Sequence, residues 1–274
     1  MRINNNLMAM NTHRALGTAN NNISKSMEKL SSGYRINRAG DDAAGLSISE
    51  KMRAQVRGLT QASRNAQDGI SMIQTAEGAL NETQAILQRM RELAVQSAND
   101  TNVTKDRTAV KEELTALKDE IDRIATSTTF NEKKLLNGDL ATSAAKLQIG
   151  ADKDVSMSIT INNMGSTSLS VNNIANSVST HADATAAIET INSAIESVSE
   201  QRSKLGAFQN RLEHTISNLD NAAENIQAAE SRVRDVDMAK EMMEMTKQNI
   251  LQQASTAMLA QANQAPQGVL QLLG

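Results

Sequence analysis

Apolar side chains recur every three or four residues along most of this chain, and every two residues over one short stretch. Stepping by three and four from Ile188 lands on Ile191, Ile195, Val198, Arg202, Leu205, Gln209, Leu212, Ile216, Leu219, Ala223, Ile226, Glu230 and Val233. A 3.5-residue spacing held for this long keeps one stripe facing a neighbouring helix and implies left-handed coiled-coil geometry. Only Arg202, Gln209 and Glu230 interrupt the stripe, as polar register markers or as points where it meets solvent. A helix with one apolar stripe needs a partner to be stable.

A matching stripe runs through Ile73, Ala76, Leu80, Thr83, Leu87, Met90 and Ala94, with Ile70 one turn ahead. Asp41 and Asp42 can cap the start of that helix and the polar residues 99–102 end it, giving a rod of about 55 residues, or roughly 80 Å. A third stripe, Val110, Leu114, Leu117, Ile121 and Ile124, begins after Thr104 and stops in the β-branched residues 126–129. The expected fold class is mainly α: long antiparallel helices in a coiled-coil bundle, a small β-hairpin, and paired N- and C-terminal helices.

The hairpin is predicted near residues 147–161. There Leu147 and Ile149 precede the loop Gly150, Ala151, Asp152, Lys153, Asp154, and Val155, Met157, Ile159 and Ile161 follow it with period two. Residues 162–180 are rich in Asn, Ser and Thr and predict an exposed connector, open to O-linked sugar over residues 166–180.

The two ends carry looser repeats. At the front these are Ile3, Leu7 and Met10, then Leu16, Ile23, Met27 and Leu30; at the back, Met243, Ile250, Ala254, Ala257 and Met258. Each end has too little apolar area to offset its ordering entropy and needs a partner. The ends also hold nine of the 14 methionines, whose unbranched, polarizable side chains suit interfaces that pack in more than one register. Ile3, Leu7, Met10, Ile23, Met27, Leu30, Met243, Ile250, Ala254 and Met258 are therefore expected at contacts between copies of the chain. Ile73, Leu80, Leu87, Leu114, Leu117, Ile121, Ile195, Leu205, Leu212, Ile216, Leu219 and Ile226 are expected to hold one copy together. The corresponding domains are residues 1–40 and 233–274 as two halves of a terminal coiled coil, and 41–232 as a helical bundle.

Composition narrows the function. Aromatic residues make up 1% of the 274 residues, so the side chains around which enzyme pockets are usually built are nearly missing. The net charge of -3 is spread along the chain with no basic face, which argues against nucleic acid. No stretch is apolar enough to insert in a membrane, no cleavable hydrophobic signal is apparent in residues 1–30, and there is no cysteine. His13, His181 and His214 are isolated, so no metal or other cofactor is expected. The acidic pairs Asp41-Asp42 and Asp235/Asp237 fit helix starts better than acid/base chemistry.

Several segments in fixed order resemble bacterial flagellin across essentially the whole chain. They are Met1-Arg2-Ile3-Asn4-Asn5-Asn6, Leu30-Ser31-Ser32-Gly33-Tyr34-Arg35-Ile36-Asn37, Ala39-Gly40-Asp41-Asp42-Ala43-Ala44-Gly45-Leu46, Leu87-Gln88-Arg89-Met90-Arg91-Glu92-Leu93-Ala94-Val95-Gln96-Ser97-Ala98-Asn99, Asn249-Ile250-Leu251-Gln252-Gln253-Ala254 and Val269-Leu270-Gln271-Leu272-Leu273. The resemblance implies a non-enzymatic subunit of the extracellular flagellar filament, a helical homo-oligomer, in a short form without variable outer domains. It implies unfolded export by the flagellar type III apparatus and addition at the distal tip. The partners it implies are an export chaperone at the C-terminal segment, filament cap and hook-junction proteins, and an animal Toll-like receptor recognising Arg89, Leu93 and Glu113.

Overall fold

The computed structural model describes residues 6–273, with side chains described over residues 6–264. Its elements are α1 (Leu7–Ser32), α2 (Ala43–Ser97), α3 (Thr104–Ser127), β1 (Thr129–Phe130), β2 (Lys133–Lys134), α4 (Asp139–Thr142), β3 (Ala145–Gln148), β4 (Ser156–Ile159), α5 (His181–Arg234) and α6 (Met238–Leu273). They form two compact units, Val56–Ala223 and Met1–Gln55 with Glu224–Gly274, so that α2 and α5 each contribute to both.

In the Val56–Ala223 unit the α2 stripe is fully consumed by the core. Ile73, Ala76, Leu80, Thr83, Leu87, Met90 and Ala94 are all buried, and Ala62 and Ala66 extend the stripe toward the N-terminus. From α3, Val110, Leu114, Ile121 and Ile124 are buried and Leu117 packs at the margin. The α5 stripe differs from the expected one. Ile191, Val198, Leu205, Leu212 and Leu219 are buried as expected, but the alternate positions are Ala187, Ala194 and Gln201, each one residue before the expected Ile188, Ile195 and Arg202. The small Ala187 and Ala194 are buried in the core, while the larger Ile188, Ile195 and Ile216 pack against its margin.

The polar interruptions also divide. Arg202 donates to Gln84 and pairs with Glu77 at 3.7 Å, both on α2, whereas Gln209 donates to Glu213 on its own helix. Gln201 is 2% exposed yet satisfied, donating to the Thr160 carbonyl and accepting from the Asn162 amide.

The predicted hairpin is present, with β3 and β4 antiparallel and Leu147 opposite Met157. Met157, Ile159 and Ile161 are buried, while Val155 is exposed. The hairpin lies against α2 at two glycine notches: a Cβ on Gly58 would stand 2.8 Å from the Ala151 Cβ, and one on Gly69 would collide with the Leu147 side chain. A second hairpin, β1–β2, turns through Asn131 and Glu132 at φ 48° and 66°, the left-handed pair a tight two-residue turn requires.

Residues 162–180 are not an exposed connector. Met164, Leu169, Val171, Ile174 and Val178 are buried in the core. Ser166, at 2% exposure, donates its hydroxyl to Asp122 at 2.8 Å and its amide to the same carboxylate at 2.9 Å. Its apolar residues are few and irregularly spaced, yet each packs into the core, so its polar composition does not mark it as exposed.

In the other unit, α1 and α6 pair along their lengths. Asn6 Nδ2 donates to the Ala262 carbonyl at 2.7 Å and Gln252 donates to Asn20 at 2.8 Å, so the two helices are antiparallel. Asp237 accepts from the Lys240 amide and caps α6, and Asp42 accepts from the Gly45 amide and caps α2. Asp41 instead turns back to accept the Asn37 and Arg38 amides, and these two bonds, Arg38 first, hold its carboxyl below the usual range.

Candidate assembly surface

Along α1 the less exposed positions include Ala9, Thr12, Leu16, Ala19, Ile23, Ser26 and Leu30. Along α6 they include Glu241, Met245, Gln248, Gln252, Ser255, Leu259 and Ala262. Both sets step by three and four, so they form a coiled-coil seam within one chain. Its chemistry is weak: Thr, Ser, Gln and Ala occupy positions that α2 gives to Ile and Leu. The buried Gln248 donates to Glu244 at 2.7 Å, and this bond, with the Lys247 ammonium, holds the Glu244 carboxyl below its ordinary range.

The expected intersubunit residues are split by this geometry. Ile23 and Leu30 lie half-buried in the α1–α6 seam. Leu7, Met10, Met27, Met243, Ile250 and Met258 point away from it, each more than half exposed, and Ala254 is exposed beside them. Ile3 lies outside the described residues. The outward faces hold more apolar side chains than the loose repeats mark: Met8, Met238, Met242 and Leu251 are also large and exposed. Near the start of α1, Ala9, Met10, His13 and Arg14 with Leu259 and Asn263 of α6 line an open groove of 590 Å³. Surface apolar residues scattered singly are ordinary, but ten of the fifteen large apolar side chains exposed among the described residues lie on these two helices, a concentration that marks surfaces another molecule covers.

Ile226, expected in the α5 stripe, is half-buried in this unit. Nearby, Ser49 donates to Glu230 at 2.9 Å, Arg234 pairs with Glu50 at 3.2 Å, and Tyr34 and Asp235 form an isolated antiparallel bridge. The first two bonds tie the early turns of α2 to the last turns of α5, and the third ties the linker after α1 to the linker before α6.

Of the three residues assigned to receptor recognition, Arg89 and Glu113 meet on the α2–α3 surface and Leu93 is buried. Arg89 of α2 is exposed and bridges Glu92 at 3.0 Å and Glu113 of α3 at 2.9 Å. The bonds to Glu92 and then Glu113 raise the Arg89 pKa further. Leu93, one turn along α2, is 2% exposed and belongs to the core beneath the pair. Among the described residues no helix is long and apolar enough to cross a membrane.

Comparison with known proteins accounts for both units. Residues 3–141 match the bacterial flagellin N-terminal helical region, and residues 188–273 match the bacterial flagellin C-terminal helical region. Flagellin from Halalkalibacterium halodurans is 60% identical over 273 residues, and flagellin from Bacillus subtilis 55% identical over 303; each alignment covers 100% of both chains. The flagellar filament 33 kDa core protein of Treponema phagedenis is 51% identical over 285 residues, again with 100% coverage of both. Among solved structures, the crystal structure of Bacillus cereus flagellin is 31% identical with a TM-score of 0.50, covering 61% of this chain and 94% of that one. A putative flagellar hook-associated protein from Vibrio parahaemolyticus is 14% identical with a TM-score of 0.62, covering 71% of this chain and 100% of that one, and shares the fold. The chain belongs to the bacterial flagellin family, whose members are structural proteins and not enzymes.

Proposed function

We propose that this chain polymerises into the extracellular helical filament of the bacterial flagellum, and that the outward faces of α1 and α6 are the surfaces through which copies pack. The observation that carries this reading is the run of large apolar side chains left exposed on both terminal helices: Leu7, Met10 and Met27 on one, Met243, Ile250 and Met258 on the other. Ile3 and the exposed Ala254 are assigned to the same contacts, and the half-buried Ile23 and Leu30 to the α1–α6 seam that supports them. The α1–α6 seam is polar and thin, so it gains stability when those faces are covered, which ties order in the ends to assembly. The terminal pair, residues 1–40 with 233–274, is then the assembling element, and residues 41–232 the body that it carries.

Family membership supports the remaining parts of the proposal. The chain is exported unfolded by the flagellar type III apparatus, met by a chaperone at its C-terminal segment, and added at the distal tip between hook-junction and cap proteins. An animal Toll-like receptor reads the surface around Arg89 and Glu113, with Leu93 supporting that surface from below.

The test is seeded growth of the purified chain on fragments of its own filaments, followed by electron microscopy. The full chain extends the seeds. Leu7→Asp and Ile250→Asp keep their helical circular dichroism and do not extend them. Removing residues 1–30, or everything after Val236, gives the same result: a folded body and no filaments. Filaments from either shortened chain overturn the proposal.

A further inference from the structure

Among the described residues the methionines fall into an exposed set and a buried set, with Met52 and Met245 half-buried between them. Met8, Met10, Met27, Met238, Met242, Met243 and Met258 are exposed, and all lie on α1 or α6. Met72, Met90, Met157 and Met164, in the Val56–Ala223 unit, are no more than 6% exposed. A thioether is as reactive toward peroxide in one place as another until access is restricted, so the fold itself directs oxidation to the terminal helices.

The consequence of oxidation also differs between the two groups. A sulfoxide is polar and accepts hydrogen bonds strongly, so an apolar interface that must bury it loses apolar area and gains a desolvation cost. On a solvated helix face in a separate chain the same change is tolerated, because water satisfies the new oxygen. Oxidising the seven exposed methionines therefore leaves the separate chain folded and alters only what its outward faces can pack against.

We propose that these seven methionines make self-association of the chain responsive to oxidant: a peroxide converts them to sulfoxides in the unassembled chain, blocks its addition to a growing polymer, and leaves the rest of the fold intact. This inference rests on the assembly reading above. At each site the sulfur lone pair attacks one peroxide oxygen. An S–O bond forms as the O–O bond breaks, and the departing hydroxide takes the proton left on the transferred oxygen and leaves as water. The thioether loses two electrons and the peroxide gains them. Methionine sulfoxide reductases, one for each sulfoxide epimer and both drawing on a thiol reductant, reverse the step. Once copies have packed, covered thioethers are shielded, so the switch acts on subunits before addition and spares the finished polymer.

The experiment treats the full chain with hydrogen peroxide, removes the peroxide, maps sulfoxides by mass spectrometry of peptides, and measures growth on seeds. Untreated chain is run in parallel; if that fails to extend seeds, the assembly reading fails. With untreated growth established, sulfoxides are expected at the seven exposed positions ahead of Met72, Met90, Met157 and Met164. Unchanged circular dichroism, loss of seeded growth, and its recovery after incubation with both reductases and dithiothreitol are expected with them. A chain carrying Leu at all seven positions is expected to extend seeds after the same treatment. If that variant does not fold, reversal by the reductases on the native sequence decides. Treated chain that extends seeds at the untreated rate with the seven sites oxidised overturns the proposal, as does oxidation that begins at the four buried methionines.

Discussion

Arg234 holds its guanidinium carbon 4.9 Å from the centroid of the Tyr34 ring while pairing with Glu50 at 3.2 Å. One side chain at the end of α5 therefore touches the linker after α1 and the early turns of α2. The backbone follows the same path: the Arg35 amide donates to the Arg234 carbonyl at 2.7 Å, and the Val236 amide donates to the Gly33 carbonyl at 3.0 Å. Gly33, at φ 75°, ends α1 in the left-handed conformation that this approach needs.

Arg234→Ala is expected to loosen this clasp without unfolding the Val56–Ala223 unit. A cation–π contact of this kind contributes about 0.5–1 kcal/mol and a half-exposed ion pair about 0–1 kcal/mol, so the local loss is about 1–2 kcal/mol. Hydrogen exchange at the Arg35 and Val236 amides should accelerate by roughly tenfold, since about 1.4 kcal/mol is one decade. Arg234→Lys keeps the charge but loses the planar stacking, and should fall between the two. Unaltered exchange at both amides would show that the clasp is held by backbone bonds alone.

Two glycines of α2 should respond in opposite directions to the same substitution. At Gly78 an added Cβ meets nothing within 4 Å, so Gly78→Ala gains helix propensity of about 1 kcal/mol. At Gly69 the added methyl runs into Leu147 of β3. Overpacking of that kind costs about 1–3 kcal/mol, which outweighs the same propensity gain. Chemical denaturation should rank Gly78→Ala above the parent chain and Gly69→Ala below it. A stabilised Gly69→Ala chain would mean that the β3–β4 hairpin shifts freely on α2.

Acid should release the 162–180 segment through Asp122. Burial pushes this carboxyl up, but the Ser166 amide and hydroxyl and the Lys118 ammonium together hold it below its ordinary value. A carboxyl lowered in the folded state adds stability that is fully present above its unfolded value, about 3.9, and is lost as pH falls through the lower folded value. Asp122→Asn should therefore destabilise the chain by a constant amount above about pH 5, and the difference should shrink below about pH 4. Urea titrations at stepped pH read this directly; a gap that widens on acidification would mean that protonated Asp122, not the carboxylate, holds the segment.

The long helices are legible because their stripes are long. On α2 the positions from Ile73 to Ala94 repeat often enough that period and phase agree with the core at every step. On α5 the period is equally plain but the phase is ambiguous: Ala187 and Ala194 face the core while the larger Ile188 and Ile195 stand beside it, and side-chain size draws the eye to the wrong column. The β1–β2 hairpin is too short for a period of two to register. Residues 162–180 defeat a pattern reading altogether, since Ser166 is buried by an acceptor 44 residues earlier, a relationship that spacing does not encode. On the terminal helices the repeats are visible, but which half faces the other helix of the same chain depends on the antiparallel register set by Asn6 with Ala262 and Asn20 with Gln252.

The proposed receptor surface separates two kinds of substitution. Arg89 and Glu113 are both exposed, so Arg89→Ala and Glu113→Ala should each leave the melting temperature essentially unchanged. Leu93 is 2% exposed, and Leu93→Ala should cost about 2–5 kcal/mol and alter signalling through the fold. A receptor that reads the surface therefore distinguishes the two classes: Arg89→Ala and Glu113→Ala lower signalling of a Toll-like receptor reporter cell line at unchanged melting temperature, while Leu93→Ala lowers both together. Because Arg89 also pairs with Glu92, Glu113→Ala frees only part of its guanidinium, and the Glu113 effect should be the smaller of the two. Full signalling by Arg89→Ala, with the chain shown folded, would remove this surface from the proposal and leave filament assembly untouched.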